Sequence, residues 1–124
     1  MNRTLNILVN EKPLSPPIFA EECKDFISRL KGLMGKRELK EDKGIILVQK
    51  SDSRMDSAIH MVAVFMDLGI VWINSQMIIV DKVVAKSWRP FYMSSQPAMY
   101  TLEVHPDRIN EFAIHDKVTF HEIA

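Results

Sequence analysis

Two ionisable side chains sit inside the most apolar stretch of this chain. The run reads Ile59-His60-Met61-Val62-Ala63-Val64-Phe65-Met66-Asp67-Leu68-Gly69-Ile70-Val71-Trp72-Ile73. An isolated buried carboxylate is very costly, so Asp67 must be paired, turned to a pocket or kept at a bend. His60 and Asp67 together could form an acid–base pair, the carboxylate orienting the imidazole. On an extended strand their seven-residue separation spans roughly 23 Å, so the pair needs a bend. The plainer expectation is that Asp67 is structural and satisfies backbone N–H groups or an arginine. Glu103 follows Leu102 and precedes Val104, so on a strand it points away from both. If those two face the core, Glu103 faces solvent or the opposite side of the sheet. There it could meet Arg29, Arg37 or Arg89 in a charge-assisted bidentate bond, and such a structural bridge is the expected outcome.

Other chemistries find less footing. Eight methionines, some near His60, suit Cu(I) by ligand type, but they show no repeated ligand spacing, and methionine ordinarily fills gaps in cores. His115 and His121 lack a cysteine or carboxylate partner at zinc spacing. No metal or cofactor is therefore expected. Cys23 falls on an apolar stripe, where a thiol is inert. Ser94-Ser95 has no nucleophile elbow around it, and the four glycines, at 32, 35, 44 and 69, form no phosphate loop. Trp88-Arg89-Pro90-Phe91-Tyr92-Met93 is different, because aromatics, Arg and Met are the types enriched at binding hot spots. This loop either contacts a partner or folds its rings down as a lid over the core.

The elements that must position these groups are short. The chain has 124 residues, 47% hydrophobic and 26% charged, which suits one folded domain over 1–124. Sixteen basic and sixteen acidic residues cancel, so no global field draws it to nucleic acid or to an anionic membrane. One cysteine allows no intrachain disulfide, and the N-terminal apolar piece is too short for a signal-peptide core. The run at 59–73 is too short to span a bilayer, and a soluble, cytoplasmic protein is expected. Leu5, Ile7 and Val9 alternate as a strand that ends at Asn10-Glu11. The three prolines of Lys12-Pro13-Leu14-Ser15-Pro16-Pro17 restrict that piece to a turn or edge. Cys23, Phe26, Ile27, Leu30, Leu33 and Met34 make one helical stripe, which predicts a helix over 21–34. Strands are predicted at 44–48, 100–104 and 118–123. Residues 65–73 and 77–85 are expected to form a hairpin across Asn74-Ser75-Gln76. Pro106 is placed to open a short helical turn.

Several of these pieces, taken in order, resemble a known pattern. Arg29-Leu30-Lys31-Gly32-Leu33-Met34, Gly44-Ile45-Ile46-Leu47, Ile59-His60-Met61 with Asp67, Tyr100-Thr101-Leu102-Glu103-Val104 and Asp116-Lys117-Val118 are similar to the domain-of-unknown-function 192 family over roughly residues 4 to 122. The resemblance implies a compact, β-rich single domain with little helix, and it implies no activity. Many relatives have Trp where this chain has His60, and Gly where it has His115. If that Gly position needs φ > 0, His115 is strained there.

The fold expected is β-dominated α+β. One sheet of about seven strands rolls into a sandwich or partly closed barrel, with the 21–34 helix packed on it. The function expected is a non-catalytic module that binds a peptide, partner protein or small ligand, with Arg29, His60, Asp67, Trp88, Arg89 and Glu103 as candidate contacts. The alternative is a hydrolase-type enzyme using His60, Asp67 or Glu103 as acid and base. Clustering of those three within hydrogen-bond reach favours the enzyme, and their dispersal favours binding.

Overall fold

Eight strands and a 3-10 helix follow one another along the computed structural model, which describes residues 3–25 and 33–123. They are β1 (Thr4–Val9), β2 (Lys12–Pro13), β3 (Phe19–Cys23), β4 (Lys43–Ser53), β5 (Leu68–Ile73), β6 (Ile79–Ala85) and β7 (Ala98–Val104), then the 3-10 helix (Pro106–Glu111) and β8 (Val118–Glu122). The sheet runs β2-β1-β3-β4-β7-β5-β6, and β8 pairs with the other side of β1. Leaving aside the two-residue β2, this is a seven-stranded, β-dominated sheet.

Local chemistry explains most of these elements. In β1 the alternation buries Leu5, Ile7 and Val9. Asn10 and Glu11, at φ 51° and 66°, make the two-residue left-handed turn that matches the twist of a hairpin. Pro13 then sits on a sheet edge, where its missing donor is harmless. All six residues of β5 are buried, because the sheet carries a core on each face. The β5–β6 hairpin is antiparallel as expected, although its strands start at Leu68 and Ile79, and the register shifts between Trp72 and Ile73. In its connection the Asn74 carboxamide oxygen accepts from the N–H groups of Gln76 and Ile78, both at 3.0 Å.

One expectation needs correction. Glu21, Glu22 and Cys23 belong to β3 rather than opening a helix, with Glu21 opposite Thr4 of β1 and Cys23 opposite Leu47 of β4. Strand pairing on both sides overrides the local helical spacing. Leu33 is buried, but Met34 is exposed, so the stripe does not continue as one buried face. Phe26, Ile27, Arg29 and Leu30 lie outside the described residues.

The sheet curls until its ends meet. Ile78 bridges Lys117, the Ile79 N–H donates to the Asp116 carbonyl at 2.9 Å, and the His115 N–H donates to the Ile79 carbonyl at 2.8 Å. The curl therefore closes at the start of β6. Leu5, Ile7, Ile46, Val71, Leu102 and Phe112 fill its concave side. A second core, with Ile45, Leu47, Met61, Ile70 and Trp72, lies on the outer face beneath the 54–67 segment and Leu39. Trp72 Nε1 and Thr101 Oγ1 both donate to the Ser57 carbonyl at 2.8 Å, which fastens that cover to the sheet.

Candidate functional site

Asp67 stands at the bend where the cover enters β5. Its Oδ1 accepts the Ser87 N–H at 2.9 Å, and the Lys86 ammonium lies 3.4 Å from Oδ2. The Ser87 hydroxyl donates to the Val64 carbonyl at 2.6 Å, so the chain before β5 is tied to the chain after β6. The Ser87 N–H holds the Asp67 carboxyl below the usual carboxylate range; burial opposes this and Lys86 adds to it. This is the backbone-satisfying geometry that the apolar run called for.

His60 and Glu103 are held elsewhere. Residues 59–61 form a two-stranded ribbon with 88–92: the Ile59 and Tyr92 amides exchange bonds of 2.9 Å, and the Met61 N–H donates to the Arg89 carbonyl at 3.1 Å. Half-buried in that ribbon, His60 keeps a buried Nδ1 that has no hydrogen-bond partner. Glu103 lies between Ile45 of β4 and Ile70 of β5, both members of the outer core. It is only 5% exposed, its Oε1 has no partner, and burial pushes its carboxyl up to about 7. The expected Glu–Arg bridge is therefore not made among the described residues. Alternation does turn Glu103 away from Leu102 and Val104, but the opposite face of this sheet is a core rather than solvent. No hydrogen bond joins any two of His60, Asp67 and Glu103 among the described residues.

The Trp88 loop turns one of its aromatics inward and two outward. Tyr92 packs against the outer core, and its hydroxyl accepts the Lys86 N–H at 2.8 Å. Trp88 and Phe91 face solvent. Trp88 is 52% exposed and meets Phe65, itself 40% exposed, edge to face at 5.6 Å. Arg37 stacks over the other partner, its guanidinium carbon 4.5 Å from the Phe65 ring centre. Trp88 and Ala63 both hold left-handed backbone, at φ 65° and 59°, and for a bulky residue that conformation is strained. Phe65 and Arg37 escaped the sequence reading because nothing in their spacing from Trp88 reveals the contact. The exposure of aromatics to solvent is what singles out this surface.

A concavity opens at the mouth of the curl. It has a volume of about 660 Å³ and an apolar floor that includes Leu5, Val48, Met99, Tyr100 and Phe120. Tyr100 and Phe120 cross it edge to face at 5.2 Å. On its rim Arg3 clamps Glu22 through two bonds of 2.9 Å and reaches Glu122 at 3.1 Å. The Arg3 bond holds the Glu22 carboxyl below its usual range, against its burial. Elsewhere Glu41, His105 and Asp107 place ligand atoms within 4.8 Å of one another. His105 Nδ1 already accepts the Asp107 N–H at 3.0 Å as the cap of the 3-10 helix, which leaves Nε2 as its one ligand atom.

The profile of the domain-of-unknown-function 192 family, described as uncharacterized ACR, matches residues 9–120. The chain belongs to this family. A UPF0127 protein of Thermococcus kodakarensis is 30% identical over 78 residues, 63% of this chain and 48% of that one. The chain thus spans about half the length of the curated relatives it first matches. Two crystal structures share the fold. One is a protein of unknown function from Novosphingobium aromaticivorans, with TM-score 0.79 and 16% identity, covering 94% of this chain and 84% of that one. The other, from Sinorhizobium meliloti and described there as a proposed transcription regulator, has TM-score 0.81 and 17% identity, covering 97% and 94%. At such identities the likeness concerns the fold alone. Within the domain-of-unknown-function 192 fold, the glycine-favouring position is real here: His115 has φ 81°. No helix among the described residues is long and apolar enough to cross a membrane.

Proposed function

We propose that this chain is a non-catalytic binding module that receives a peptide, partner protein or small ligand on the surface built by Phe65, Trp88 and Arg37. The observation that carries the reading is the Trp88–Phe65 pair, exposed to solvent and held by left-handed backbone at Trp88 and Ala63. Aromatic area that is already ordered loses little entropy on binding. Arg89 lies next to Trp88 in the chain and belongs to the same surface. Asp67 supports it from below, and Arg29 lies outside the described residues. A cytoplasmic setting belongs to the same proposal, since a single cysteine gives no intrachain disulfide to protect. The dispersal of His60, Asp67 and Glu103 weighs against a hydrolase-type reaction, for which the raised Glu103 carboxyl is the supporting observation. An NMR screen with a small-molecule fragment library tests the reading, because the two indole N–H signals are distinct reporters. Fragments should move the Trp88 signal and leave the buried Trp72 signal in place. Shifts confined to residues at the mouth of the curl, such as Tyr100 and Phe120, would overturn it.

A further inference from the structure

We infer that the Phe65–Trp88 surface recognises an acidic peptide segment whose carboxylates flank a large apolar side chain. The inference rests on the binding reading above and names its partner class. Met34, Val62, Phe65 and Trp88 are all exposed, although each is a large apolar residue. Backbone bonds gather the three segments that carry them. The Gly35 N–H donates to the Ala63 carbonyl at 2.8 Å, the Phe65 N–H to the Lys36 carbonyl at 3.4 Å and the Trp88 N–H to the Met61 carbonyl at 3.0 Å.

The same segments concentrate positive charge. Lys36, Arg37, Lys86 and Arg89 are exposed on them, against the carboxylates of Glu38 and Asp67. Asp67 is already engaged by the Ser87 N–H and by Lys86. The whole chain is electrically balanced, with sixteen charges of each sign, so this excess is local and acts at contact range. Arg37 supplies the geometry as well as the charge. A guanidinium stacked on a ring uses its face for the ring and keeps its in-plane N–H fork for a carboxylate. A complementary partner then presents carboxylates to Arg37 and its cationic neighbours while an apolar side chain covers the Trp88–Phe65 edge. A neutral chain with no long basic stripe among its described residues is a poor match for a nucleic-acid backbone. An anionic lipid surface is the competing source of negative charge.

The test uses Trp88 fluorescence in the full chain, where Trp72 is buried and serves as the constant background. The probes are a capped seven-residue peptide of alternating aspartate and leucine and its asparagine–leucine counterpart. The acidic peptide should shift the Trp88 emission saturably, more weakly as salt rises. The asparagine peptide should bind about tenfold more weakly or worse. The double variant Lys36→Glu, Arg37→Glu should abolish the preference, with an unchanged far-ultraviolet spectrum as the folding control. Equal binding of the two peptides would overturn the acidic class while leaving Trp88 as a contact surface. No shift with either peptide would overturn the inference outright, and the fragment screen would then decide the surface separately. A Trp88 shift on vesicles of phosphatidylglycerol in phosphatidylcholine, without any peptide response, would overturn it in favour of a lipid surface.

Discussion

Replacing Glu103 by glutamine should make the protein more stable at neutral and alkaline pH, although it removes an ionisable group. Glu103 is almost fully buried between Ile45 and Ile70, and its Oε1 has no partner. Burial moves its carboxyl from an ordinary 4.5 to about 7. Below about pH 4.5 both the folded and the unfolded chain hold this proton, and Glu103 makes no pH-dependent contribution. Between about 4.5 and 7 the unfolded chain releases the proton while the folded chain keeps it, so rising pH favours unfolding. Above about 7 the penalty is complete. Each pH unit of that interval is worth roughly 1.4 kcal/mol, which gives about 3 kcal/mol in all. Glu103→Gln removes the titration and keeps the shape. Urea unfolding followed by Trp72 fluorescence, from about pH 5 to pH 8, measures the difference between variant and parent. That difference should grow with pH in the variant's favour by about 3 kcal/mol. A difference that stays flat would refute the reasoning, because it would mean that the folded protein ionises Glu103 as easily as water does.

Two further substitutions probe the frame of the site. Asp67→Ala leaves the Ser87 N–H without its acceptor and should cost about 1–2 kcal/mol at neutral pH, whereas Asp67→Asn retains an oxygen for that N–H and should cost less. Because the Asp67 carboxyl lies below its usual range, its contribution is present above the unfolded value, near 4, and is lost as pH falls; acid unfolding of Asp67→Asn should therefore be less steep than that of the parent. His115→Gly should stabilise the protein by up to about 1 kcal/mol, since φ 81° suits glycine and the backbone bond from residue 115 to Ile79 remains. A lower thermal midpoint for His115→Gly would show that the imidazole makes a contact worth more than the backbone strain.

Period-two alternation in β1, the β-branched hairpin of β5 and β6 and the proline opening of the 3-10 helix were legible because each is a short-range signal. The β3 strand was not. Glu21-Glu22-Cys23 has no strand signature of its own, and its conformation comes from pairing with β1 and with a β4 that lies more than twenty residues away. The same limit applied to the site. Asp67 could be read as a carboxylate needing backbone donors, because its apolar surroundings demand them. The environment of Glu103 depended on whether the second face of the sheet is covered, and that is decided by the 54–67 segment crossing over it. Trp88 announced itself by composition, but Phe65 reaches it only through the ribbon between 59–61 and 88–92, and Arg37 only through the Gly35–Ala63 and Phe65–Lys36 backbone bonds.

The closure of the curl also fixes an order of events in folding. β1 gains its last neighbour only when β8 lies along it, with Leu5 opposite Glu122 and Val9 opposite Val118. A chain emerging from the ribosome therefore carries β1 with that edge open until β8 has been made. Only after residues 115–122 are free can the Ile79–Asp116 and Leu5–Glu122 contacts form. Pairings this distant in sequence must overcome a large loop-closure entropy, so the slow step of folding should be this final seam rather than the local β5–β6 hairpin. Until then the unpaired β1 edge is the place where two nascent chains could join.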